Sequence, residues 1–219
     1  MDAILTGFSF GFLHVFSGPD HLAAVAPLSA NANRKGWLTG LRWGFGHSTG
    51  VLVIGILALM FREWLDIELI SSVNEKLVAI VLIGIGAWGL LTLRKTTIHR
   101  HSHDHPGHDH EHLHVHVGNT SHHQHRLAHT AVGVGIIHGL AGSSHLFGIL
   151  PALAFPDTVS VILYLTAFTV GTLAAMSGFG GLTGLIAHRF QLAGPRWISG
   201  FMVTCSLSAV VVGLFWFFI

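Results

Sequence analysis

Long apolar runs alternate with short polar breaks along this chain, and six of the runs are long enough to cross a bilayer. A crossing takes roughly 20 residues of helix. The runs are Ala3 to Ala30, Trp37 to Phe61, Val73 to Leu93, Ala131 to Phe155, Val159 to Ala187 and Trp197 to Ile219. A polar stretch from Arg94 to about His129 separates the third from the fourth. Pro156-Asp157 turns the fourth run into the fifth, and Gly194-Pro195 marks the start of the sixth. The first run exceeds one crossing because it is interrupted at Ser17-Gly18-Pro19. Pro19 removes the amide that would bond the carbonyl of Val15, and Gly18 tolerates backbone angles that other residues avoid. The pattern predicts an all-α integral membrane protein whose first helix is broken.

The interrupted stretch recurs. Gly11 to Ala30, GFLHVFSGPDHLAAVAPLSA, lies without a gap on Gly135 to Ala154, GIIHGLAGSSHLFGILPALA, 124 positions later. His14 falls on His138, Gly18 on Gly142, His21 on His145 and Pro27 on Pro151; seven of twenty positions are identical, where chance gives about one or two. In the second helices Gly46 aligns with Gly171 after a one-residue shift, which pairs His47 with Thr172. Three crossings per repeat force the two copies into opposite orientations. The expected architecture is therefore two inverted three-helix repeats, 1–93 and 130–219, joined by a 94–129 loop, with helices one and four broken near Gly18-Pro19 and Gly139 to Gly142.

Composition agrees with the membrane reading. Only 10% of residues are charged, against about 25% in a soluble domain. Arg34, Lys35, Arg94, Lys95, Arg100, Arg126, Arg189 and Arg196 fall in the loops after runs one, three and five, against Arg62 and Lys76 on the other side. That asymmetry predicts a multi-pass cell-membrane protein with both termini outside and the 94–129 loop in the cytoplasm. No cleavable leader is expected, since the first run has no basic segment before it. Cys205 is the only cysteine, which excludes a disulfide framework and CxxC chemistry.

Ionisable groups inside apolar runs are costly and point to function. Those here are His14, His21, His47, His138 and His145, with Asp20 the one acidic residue well inside a run. In an unbroken helix His14 and His21 would share a face but stand about 10 Å apart along the axis, too far for one metal at bond lengths near 2 Å. Local unwinding at Gly18-Pro19 brings His14, Asp20 and His21 closer together. Imidazole suits nickel, cobalt, zinc and copper, whereas magnesium and calcium call for oxygen cages. In the second copy Ser143-Ser144 replaces Pro19-Asp20, so the two halves are chemically unequal.

The loop carries a second signal. Thirteen histidines lie between His99 and His129, many alternating with other residues. His101, His103, His105, His108, His110, His112, His114 and His116 form a candidate accessory site for divalent ions on a segment expected to be mobile, without a packed core.

His14…Asp20-His21 resembles the His/Asp/His signature of the nickel/cobalt transporter superfamily. HVFSGPDHLAAVAPLSA followed by RWGFGHSTG is similar to the six-helix, urease-accessory-like branch of that superfamily, and the His-rich loop resembles that of its efflux members. The resemblance implies that His14, Asp20, His21 and His47 line a metal pathway. The function expected is secondary transport of Ni2+ or Co2+ as cargo, with no resident cofactor. The expected partners are the bilayer and a cytoplasmic metallochaperone, with no nucleic acid. A second reading is an accessory protein that delivers nickel to a metalloenzyme maturation system. No GxxxxGK[ST] and no HExxH occurs, and His122-His123-x-His125 lacks a rigid carboxylate-bearing scaffold, so neither an ATPase nor an enzyme is expected.

Overall fold

The first apolar run breaks where its glycine and proline predict. In a computed structural model, which describes residues 2–61, 67–95, 97–103, 110–116, 123–140 and 150–218, helix α1 (Ala3–Ser17) ends at Gly18 and α2 (Pro19–Ala32) begins one residue later. A short 3₁₀ turn leads into α3 (Gly36–Phe61), followed by α4 (Ile67–Lys95). Strands β1 (Thr97–His103) and β2 (His110–His116) precede α5 (His123–Leu140). A 3₁₀ turn at Leu150–Ala154 then leads to α6 (Thr158–Ala193) and α7 (Pro195–Phe218).

Among the described residues, three helical segments are long and apolar enough to cross a membrane: Glu75–Leu93, Thr158–Ala193 and Pro195–Phe218. Their outward faces carry exposed Leu91, Leu163, Leu185, Val211 and Phe215, as a lipid-facing surface requires. The protein is a membrane protein. At fifteen residues, α1 is shorter than a full crossing.

The 94–129 tract departs from expectation in part. Within the segment expected to be mobile and without a packed core, two strands pair as an antiparallel ribbon, in a register that sets His99 against His114, His101 against His112 and His103 against His110. Alternation with a period of two is also the strand period. His105 and His108 lie outside the described residues. Helix α5 starts at His123, inside the polar tract, because a helix can run on past the hydrocarbon boundary where hydropathy no longer marks it.

Ten of the fourteen residues of α2 are buried, so this short helix forms the centre of the molecule. It packs against α3, α4, α5, α6 and α7. Val15, Ala24, Val25, Leu28, Trp43, Leu82, Met176 and Ala209 make the surrounding core.

Lipid is as apolar as a side chain, so helices associate in it through close contact at small residues. The contacts follow a regular scheme. Helices α1 and α6 run parallel, with Gly7 against the backbone of Tyr164 and Gly11 against that of Phe168. Helices α3 and α5 also run parallel, with Gly135 on the Trp43 carbonyl and Gly139 on that of His47. Helices α3 and α6 are antiparallel, Gly36 meeting Gly180 and Gly40 meeting Met176; α4 and α7 are antiparallel too, Gly86 meeting Ser206 and Gly213 meeting Ala79.

A Cβ on Gly11 or Gly135 would collide with backbone that cannot swing aside, whereas one on Gly178 would meet nothing within 4 Å. Gly11→Ala and Gly135→Ala are each expected to destabilise the folded protein by about 1–3 kcal/mol, the usual range for overpacking, and Gly178→Ala to leave it unchanged. Thermal unfolding of the detergent-solubilised variants measures this. Equal behaviour of all three would show that these helix contacts are not close.

Candidate metal centre

The break between α1 and α2 builds the site. The Ser17 hydroxyl donates to the His14 carbonyl at 2.8 Å, closing the last turn of α1. Gly18 is extended at φ −100° and ψ 99°. Pro19 then opens α2, where its missing amide costs nothing, and the His21 amide donates to the Gly18 carbonyl at 3.1 Å. The ring centroids of His14 and His21, which an unbroken helix would hold about 10 Å apart, stand 4.8 Å apart.

Two further helices complete the cluster. His47 on α3 lies 4.9 Å from the ring of His21 and 6.0 Å from that of His14. His138 on α5 lies 4.8 Å from His21 and 5.8 Å from His47. Asp20 joins them: its Oδ1 is 3.0 Å from His21 Nδ1 and its Oδ2 is 2.9 Å from His138 Nε2. His21, His47 and His138 are at most 2% exposed and Asp20 7%, so this is an enclosed group of ionisable side chains rather than a surface patch.

Two sets within the cluster have the spacing of metal ligands. His14, His21 and His47 form one, and Asp20, His21 and His138 the other, each with ligand atoms within 4.8 Å of one another. A protonated Nδ1 on His21 and Nε2 on His138 would donate to the carboxylate, which turns the other ring nitrogen of each outward as a lone-pair donor. Carboxylates commonly orient metal-binding histidines in this way. Asp20 therefore has two chemical capacities, ligand and orienting group.

Five of the six intramembrane residues picked out from the sequence thus meet at one place: His14, Asp20, His21, His47 and His138. His145 and Gly142 lie outside the described residues. Of the helix-break positions, Gly18 and Pro19 bound the break, while Gly139 remains helical and packs on the His47 carbonyl.

The structure adds Trp43, which the sequence reading left without a role. Its side chain is fully buried and its ring stacks on His47 with centroids 5.0 Å apart and planes 11° apart. It also lies 5.1 Å from His138 and 5.7 Å from His21. The signal was the four-residue spacing of Trp43 and His47, which puts both on one helix face.

A Cβ on Gly18 would fall on His21 Nδ1 and 2.7 Å from Asp20 Oδ1. Gly18→Ala is therefore expected to displace the His21 ring and weaken Co2+ binding by about 10-fold or more, the scale of lost orienting contacts. Calorimetric titration measures it, and wild-type affinity in this variant would show that the His21–Asp20 geometry is not needed for binding.

Comparison with known proteins gives three relatives. The urease accessory protein UreH of Bacillus sp. (strain TB-90) is 32% identical over 195 residues, covering 84% of this chain and 77% of the relative. The chloroplast proteins FOR GROWTH AND FERTILITY 2 and FOR GROWTH AND FERTILITY 1 of Arabidopsis thaliana are 33% and 30% identical over 210 residues. Those matches take in 95% of this chain but 54% and 57% of the plant proteins, so the chain spans little more than half their length. No family model and no solved structure matches the chain.

Proposed function

The chain belongs to the family of the urease accessory protein UreH, and on that footing we propose that it is a secondary transporter for a divalent transition-metal ion, nickel or cobalt. The observation that carries this reading is the convergence of Asp20, His21 and His138 on one buried point, two from the N-terminal part of the chain and one from the C-terminal part. A hydrated divalent ion exchanges waters for imidazoles there, and the single carboxylate offsets only part of its charge, so the ion is held and can still be released. Imidazole donors favour nickel and cobalt over magnesium or calcium.

The proposed architecture has six crossings arranged as two inverted repeats. Support comes from the exchange of contacts between positions 124 apart in the first helices and 125 apart in the second. Gly11 meets Phe168 while Gly135 meets Trp43; Gly171 meets Phe8 while Gly46 meets Val132. His14 lies 5.7 Å from Phe168, as His138 lies 5.1 Å from Trp43. The antiparallel course of α3 against α6 gives the two halves the opposite directions that inverted repeats need. In this reading the chain sits in the cell membrane with both termini outside and the His-rich ribbon in the cytoplasm, where it loads ions or passes them to a metallochaperone.

A second reading takes its support from the name of the relative, urease accessory protein: delivery of nickel to a metalloenzyme maturation system, with this chain as the membrane metal-binding partner. Stable capture of a soluble maturation factor in the absence of flux would favour delivery over transport.

Metal flux into proteoliposomes, with nickel, cobalt, zinc and manganese in competition, tests transport directly. Asp20→Asn and His21→Ala are expected to reduce flux to background, because a divalent ion in low dielectric then lacks its compensating charge or its central ligand. Cys205→Ser is expected to leave flux unchanged, and deletion of 100–125 to alter apparent affinity without abolishing flux. An Asp20→Asn protein that transports at the wild-type rate would place the pathway elsewhere.

A further inference from the structure

Among the described residues, His21 is the one that belongs to both ligand groups. The geometry points to two mutually exclusive ion positions that share the His21 imidazole, with the ion handed from one to the other during transport. This inference rests on the transport reading for the handover, but the two positions stand on geometry alone. One position is formed by His14, His21 and His47, carried on α1, α2 and α3. The other is formed by Asp20, His21 and His138, which bridges α2 and α5.

Exclusivity follows from the chemistry of a neutral imidazole, which has one lone-pair nitrogen and one N–H. When His21 Nδ1 donates to Asp20 Oδ1, Nε2 is the nitrogen left for an ion beside His14 and His47. When an ion lies between Asp20 and His138, Nδ1 faces it and serves as the ligand, with the proton on Nε2. One neutral ring cannot serve both ions at once. The two positions also differ in kind. The first offers three imidazoles and no charge, while the second offers two imidazoles and a carboxylate. His21 is a ligand in both positions, through Nε2 in the first and Nδ1 in the second, so the handover exchanges the donor nitrogen and moves the ring proton from Nδ1 to Nε2. Trp43, which lies against His21, His47 and His138, walls both positions on one side.

The test is X-ray absorption of Co2+ bound to the full chain, which counts imidazoles through their outer-shell scattering. His21→Gln keeps the loop histidines and lacks the shared ligand, so its signal is subtracted throughout. Wild type is expected to bind one Co2+ per chain beyond His21→Gln, with no more than three imidazoles. His138→Asn is expected to retain that ion with three imidazoles, and His14→Asn/His47→Asn to retain it with two. Affinity in each is expected to fall about 10- to 100-fold, as for other losses of supporting ligands, and flux at least tenfold. Four imidazoles on the wild-type ion would overturn the proposal in favour of one composite site, and that reading needs no substitution. Equal imidazole numbers in the two variant forms would overturn it as well. Binding of this pattern without any flux in the wild type would leave the two positions in place and remove the transport reading. Flux in the wild type with four imidazoles would do the reverse.

Discussion

Asp20 places a carboxylate in the interior of a helical membrane protein, and the two hydrogen-bond contacts it makes there organise much else. An isolated charge in such a setting is strongly disfavoured, so the residue is sustained by His21 on one oxygen and His138 on the other. The second contact joins α2 to α5 across 118 residues of chain. The two contacts also fix the direction of both rings. Without the break at Gly18-Pro19 the carboxylate would lie on a continuous helix beside its neighbour rather than at the start of a second helix in the centre of the protein. The backbone irregularity and the buried charge are thus two parts of one device.

Backbone contact is the second constraint. Glycines on α1, α3, α5 and α6 let main chains approach until there is no room for a methyl group, and they do so at corresponding places in the two parts of the chain. Close approach brings α5 near enough to α2 and α3 for the short imidazole side chain of His138 to reach Asp20. The same approach brings α6 against α1, where Phe168 lies on His14 and the buried Thr172 hydroxyl donates to the carbonyls of Phe168 and Gly11 at 3.0 and 3.3 Å. Thr172 occupies the place that His47 holds in the other pair. The scaffold is therefore paired while its chemistry is one-sided: three imidazoles and a carboxylate come from the first part of the chain, and His138 from the second.

That imbalance sets what the site offers a divalent ion. A fully charged oxygen cage would hold a divalent ion tightly and would favour hard cations. Neutral imidazoles with one carboxylate give a softer and less charged environment. The ribbon of paired histidines in the 97–116 region lies outside this arrangement in sequence, and its period of two sets histidine against histidine in the strand register.

Much of this was legible in the residues. The apolar runs announced helices in lipid, and α3, α6 and α7 lie close to where hydropathy placed them. Gly18 and Pro19 located the break to the residue, because a missing amide and a missing Cβ are local properties that no tertiary contact needs to supply. The pairing of His14 with His138 by internal repetition singled both out, and both lie in the buried cluster. Other features were beyond the sequence. Hydropathy cannot say where a helix continues into water, so the start of α5 at His123 was missed. Strand pairing in a His-rich tract depends on register between two segments, which composition does not encode. Nothing in the spacing told whether Asp20 would meet His14, His47 or His138, since that depends on how closely α5 approaches α2. Packing alone set the Trp43 ring against His47. The sequence determined which groups were available and where the chain had to break; the tertiary structure decided which of them meet, because contact between distant helices is set by backbone approach, and that is a property of the packed whole.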